Sequence, residues 1–94
     1  MTFEQLDFKP HPNGDGVQAR VFFENGYGAS VIRSPFSYGG SDGLYELAVL
    51  AGDEKRSQLT YDTPITDDVL GHLTPAAVTE ILGWIEALPA RATA

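Results

Sequence analysis

The sequence predicts an α+β fold in two layers: a four-stranded, mostly antiparallel sheet with one long C-terminal helix packed on one face. Three observations carry this expectation. Val17–Glu24 alternates with a period of two residues. Leu44–Leu50, LYELAVL, is the most apolar run of the chain and reads as a central strand. Thr74–Leu88 repeats apolar residues at helical spacing. Each of these elements has one strongly apolar side, and two layers are the least that can bury them all.

Residues 1–16 form an arm and a loop. Phe3, Leu6 and Phe8 can tuck a short strand or arm onto the core, and Pro10, Pro12, Asn13, Gly14, Asp15 and Gly16 mark a turn-rich connection. The sheet then occupies residues 17–62. In its first strand Val17, Ala19, Val21 and Phe23 point one way, and Gln18, Arg20, Phe22 and Glu24 the other. Asn25-Gly26 predicts a two-residue type I′ turn, because both central positions need positive φ. That loop pairs Glu24 with Tyr27, Phe22 with Ala29 and Arg20 with Val31. It sets Phe22, Tyr27 and Val31 opposite Val21 and Phe23, on a face that the arm, another chain or nothing covers.

Pro35 ends the return strand Tyr27–Arg33, and Ser34–Gly43 is expected as a flexible Gly/Ser loop carrying Phe36 and Tyr38. Leu44–Leu50 sets Tyr45, Leu47 and Val49 against Leu44, Glu46, Ala48 and Leu50. Ala51–Ser57 is a charged turn, and Gln58–Asp62 a short partner strand. Residues 66–71 read as one helical turn capped by Thr66, with Asp67 and Asp68 at its positive end and Gly71 as its stop. Ile65 and Leu70 are spaced as a hydrophobic staple. The long helix at 74–88 has Thr74 as N-cap, Pro75 at its first position and Pro89 beyond its end. Val78, Ile81, Leu82, Ile85 and Leu88 form its stripe, with Trp84 at the edge.

The totals narrow the function. Ninety-four residues, 43% apolar and 11% aromatic, make one domain with its own core. No cysteine is present, which removes disulfides, thiolate catalysis and cysteine zinc sites. No signal peptide and no membrane span are expected. The net charge of −7 disfavours direct nucleic-acid binding and leaves either solubility or an acidic face that meets a basic partner.

No catalytic set emerges. His11 and His72 lie in connections, and Ser30, Ser34, Ser37 and Ser41 have no base fixed by spacing. Asp62, Asp67 and Asp68 crowd three carboxylates that a hard cation could take, but without the EF-hand pattern. No cofactor is expected. NGDG at 13–16 and YGG at 38–40 lack the helix and lysine of a phosphate cradle. The Ser34–Gly43 loop reads either as a recognition loop, with rigid aromatic area beside adaptable backbone, or as a hairpin loop folded back over the sheet. The candidate partner-binding residues are Phe36, Tyr38, Asp42, Glu46, Asp62, Asp67 and Asp68.

ENGYGASV at 24–31, YGGSDGLYELAVL at 38–50 and YDTPITDDVLGHLT at 61–74 resemble a family of small bacteriophage and prophage proteins without assigned activity. The resemblance covers most of Glu24–Leu88 and leaves the arm through Gly16 outside. It brings no catalytic residues. It implies action in the bacterial host cytoplasm on a host protein or complex, and by analogy the inhibition of a defence system, as anti-CRISPR proteins do. The other readings are a nucleic-acid mimic presenting Asp42, Glu46, Asp53, Glu54, Asp62, Asp67 and Asp68, a self-associating assembly component such as a homodimer, and a small enzyme or metal protein using Asp62, Asp67, Asp68 and His72.

Overall fold

The computed structural model describes residues 1–12, 14–65 and 68–91. It is an α+β fold, an antiparallel sheet with one C-terminal helix on a face. The sheet holds six strands rather than the four expected: β1 (Lys9–Pro10), β2 (Val17–Phe22), β3 (Tyr27–Arg33), β4 (Tyr45–Gly52), β5 (Ser57–Leu59) and β6 (Leu70–Leu73), followed by α1 (Pro75–Glu86). The first five pair in chain order. β6 returns to β4 and shares its outer edge with β5, which pairs with Leu50–Gly52 while β6 pairs with Tyr45 and Leu47.

β4 is the centre, as its composition predicts. Its odd-numbered side chains face the helix: Leu47 lies opposite Val31 and Val49 opposite Ala29. These four and Val78, Ile81, Leu82 and Ile85 of α1 form one fully buried cluster. The helix face follows the expected stripe, and the Thr74 hydroxyl accepts from the Ala77 N–H at 3.2 Å to cap its start. Trp84 lies on the solvent side of the helix.

The β2–β3 hairpin differs from expectation by one residue. Phe22 pairs with Gly28, Val21 with Ala29 and Ala19 with Val31. The Phe23 N–H donates to the Tyr27 carbonyl at 2.8 Å, so the loop is Glu24-Asn25-Gly26, with Gly26 alone in the left-handed region (φ 86°). A three-residue loop ending in a left-handed glycine replaces the type I′ turn. A slip of one residue exchanges faces: Tyr27 and Val31 join Val21 on the helix side, and Phe22 stays on the other. The cause is remote. The Asn25 side chain serves both the turn and the helix: Oδ1 accepts from the Tyr27 N–H at 3.0 Å, and Nδ2 donates to the carbonyls of Ile85 (2.8 Å), Glu86 (3.3 Å) and Leu88 (3.1 Å). It thereby ties the hairpin tip to carbonyls at the end of α1, where intrahelical partners run out.

The arm packs on the helix side of the sheet, not on the second face. Phe3, Phe8 and Tyr45 form a ring cluster with centroids 4.9–5.6 Å apart, and the Phe3 N–H donates to the Thr79 hydroxyl. The second face carries its own long side chains, which with Lys9, Pro10 and Pro12 line a cavity of about 540 Å³. The Gln18 amide donates to buried Ser30, and the Arg20 guanidinium lies over the Phe22 ring.

The expected helical turn at 66–71 is not what its described part shows. Leu70 and Gly71 belong to β6, and Thr66 and Asp67, including the Thr66 cap, lie outside the described residues. The edge of β4 that β5 leaves open at Tyr45–Leu47 recruits Leu70–Leu73 as a strand, so tertiary pairing outweighs the local helix signal. Ile65 and Leu70 both pack against the core, as apolar anchors of the connection rather than as a helix staple.

Candidate interaction surface

The loop from Ser34 to Gly43 links β3 to the start of β4. It is a chain of hydrogen-bonded turns rather than a loose Gly/Ser link. The buried Ser34 hydroxyl accepts from the Phe36 and Ser37 N–H groups, and the Ser37 hydroxyl accepts from the Ser34 N–H at 2.9 Å. The Gly40 N–H donates to Ser37, those of Asp42 and Leu44 to Gly39, and that of Gly43 to Gly40. Serine and glycine are needed here for this local bonding.

Two contacts fix the loop to the sheet. The Tyr38 N–H donates to Glu46 Oε2 at 3.3 Å, and the Tyr38 carbonyl accepts from the His72 N–H at 3.0 Å. A bulge in β6 makes the second contact: register shifts by one residue between the Tyr45–Leu73 and Leu47–Leu70 pairs. At the bulge His72 adopts φ 56°, a left-handed conformation that costs a non-glycine residue roughly 1–2 kcal/mol. Gly71 lies against Tyr38 so closely that a β-carbon there would collide with the tyrosine Cβ.

The backbone is thus held while the aromatic rings are not. Phe36 is 80% exposed and Tyr38 61% exposed. Their removal from water is favourable by about 25 cal/mol per Å² of apolar area covered. Asp42 is exposed in the short 3₁₀ turn at Gly40–Asp42. Glu46 is half-buried on β4, opposite Ile32, and its carboxylate supports the loop.

Four of the candidate residues, Phe36, Tyr38, Asp42 and Glu46, therefore belong to one end of the sheet. Asp62 and Asp68 are exposed on the connection between β5 and β6, and Asp67 lies outside the described residues. Asp53 and Glu54 follow the far end of β4, roughly 25 Å from Glu46 at the rise of an extended strand. Asp53 Oδ1 accepts from the Lys55 and Arg56 N–H groups, so this acid also shapes its own turn. Among the described residues no three His, Asp or Glu side chains are gathered to hold a metal ion. No helix among them is long and apolar enough to cross a membrane.

Sequence reasoning overlooked the part of His72, whose side chain is exposed beside the loop and whose main chain holds Tyr38. Only the bulge reveals it, and nothing in the local sequence signals a bulge at Gly71-His72. Leu59 and Tyr61, on and just after β5, are near half exposed as well, and no sequence pattern marks them. Scans of protein-family models and searches of curated proteins and of solved structures return no match for this chain.

Proposed function

We propose that the chain is a non-enzymatic interaction protein of the phage type, which docks onto a host protein in the bacterial cytoplasm through Phe36 and Tyr38. The observation that carries this reading is the pairing of a hydrogen-bonded loop backbone with two outward aromatic rings. The ordered backbone that presents the rings loses little further freedom on binding, which favours a binding hot spot. Asp42 beside them suits a partner with a basic rim. The resemblance of most of Glu24–Leu88 to small phage proteins supports the host setting, and inhibition of a defence complex such as CRISPR-Cas is the specific form proposed.

The test has two stages. Tagged protein captures a partner from a bacterial lysate, and the Phe36→Ala, Tyr38→Ala double variant loses it while keeping its melting temperature. The captured partner is then assayed with the protein added: a defence nuclease whose activity falls supports inhibition. Retention of the partner by the folded double variant rejects the loop as the docking surface.

A further inference from the structure

At the far end of β4 arginines stand beside the acids Asp53 and Glu54. Arg56 and Arg91 line one cavity here, and Arg20 donates to the Ser57 hydroxyl at its edge, in a protein of net charge −7. Among the described residues none of them is ion-paired. A cavity of about 260 Å³ opens here, lined by Gly52, Arg56, Ser57, Gln58 and Arg91. We propose that this cavity is a binding site for a phosphate group.

The donor set supports that chemistry. Arg91 is positioned by three contacts: its N–H donates to the Asn25 carbonyl at 2.8 Å, Nη1 reaches the Gly26 carbonyl at 3.5 Å, and the guanidinium lies 5.9 Å from the Tyr27 ring centre. These leave most of its five N–H donors unused. Arg56 is exposed, and its guanidinium makes no hydrogen bond among the described residues. The Gln58 amide adds a further donor on the Tyr27 side of β5, opposite Ala51. Of the two acids in the same turn, Asp53 accepts from two amides of that turn, and Glu54 lines the other cavity, with Arg20 and Phe22.

Arg56, Arg91 and Gln58 line a space that exceeds a bare phosphate, so part of a substituent fits as well. Arginine pairs with phosphate oxygens through parallel hydrogen bonds, and two arginines match a group of about two negative charges better than a single carboxylate. This site stands apart from the aromatic loop, so either can fail without the other.

Titration of the full chain with sodium phosphate, followed by amide chemical shifts, tests the proposal. Saturable shifts are expected at Gly52, Ser57 and Gln58. Arg56→Gln and Arg91→Gln should each weaken binding about tenfold, the loss of one charge-assisted contact. Arg33→Gln, near Tyr45 at the opposite end of the sheet, should leave it unchanged. A sugar phosphate run in parallel separates the sources: tighter binding than inorganic phosphate assigns the site to a phosphorylated ligand, and equal binding to the free oxyanion. The proposal is overturned by shifts that sodium chloride reproduces at equal ionic strength, by acetate binding as tightly as phosphate, or by Arg33→Gln weakening binding as much as Arg56→Gln.

Discussion

The two ends of β4 show how one strand supports two unlike surfaces. At Tyr45–Glu46 the surrounding chain is acidic and aromatic, and its main chain is tied down by short-range turns. At Gly52 it is rich in arginine, and the groups that meet there come from β2, the turn after β4 and the segment beyond α1. The first surface is local in sequence and the second is assembled by the fold. Between them lies the strand itself, whose helix-facing side chains are sealed in the core. Stability is concentrated in the middle, and chemistry is free to vary at the ends.

That separation can be broken from its middle outward. Leu47→Ala removes a side chain with no exposed surface and should cost about 2–5 kcal/mol in denaturant unfolding. An unchanged unfolding midpoint would reject β4 as the core strand. Asn25→Asp keeps the oxygen that accepts from the Tyr27 N–H but loses the donors to three helix carbonyls and sets a negative charge at the helix C-terminus. It should cost about 1–3 kcal/mol, and more than Asn25→Ser, which introduces no charge. Gly71→Ala should displace Tyr38 and lower stability by about 1–3 kcal/mol, as overpacking does. Its signature is a shift in the amide resonances of 36–40 that Leu47→Ala does not reproduce. The smallest effect is expected at the loop rings. Phe36→Ala and Tyr38→Ala should change stability by no more than about 0.5 kcal/mol while weakening partner capture on the order of 30-fold.

Much of this fold is legible residue by residue. The alternation of Val17–Phe23, the apolar run of β4 and the Thr74-Pro75 start of α1 are all local signals, and each element forms where its signal lies. The failures have a common physical origin. Asn25-Gly26 carries the chemistry of a two-residue turn, but Asn25 is claimed by a helix end far along the chain, and the register moves by one. Leu70–Leu73 follows acids and a threonine that suit a helix start, but a vacant strand edge claims it. Where a residue has a local use and a distant one, sequence pattern reports the local one. The same division holds for the two surfaces. Phe36 and Tyr38 stand out as aromatics in a Gly/Ser loop, whereas Arg56 and Arg91 become neighbours only once β5 and the end of α1 are in place.

The bond from Asn25 to the end of α1 also has a consequence in time. It joins the hairpin tip to the last carbonyls of the helix, and the Arg91 N–H returns to the Asn25 carbonyl. Neither partner can fray without releasing the other, so the two should exchange their amide hydrogens as one cooperative unit. Because the contact spans 60 residues of chain, its closure carries a large ordering cost. The latch should then close late in folding and be felt mainly in how fast the native state comes apart.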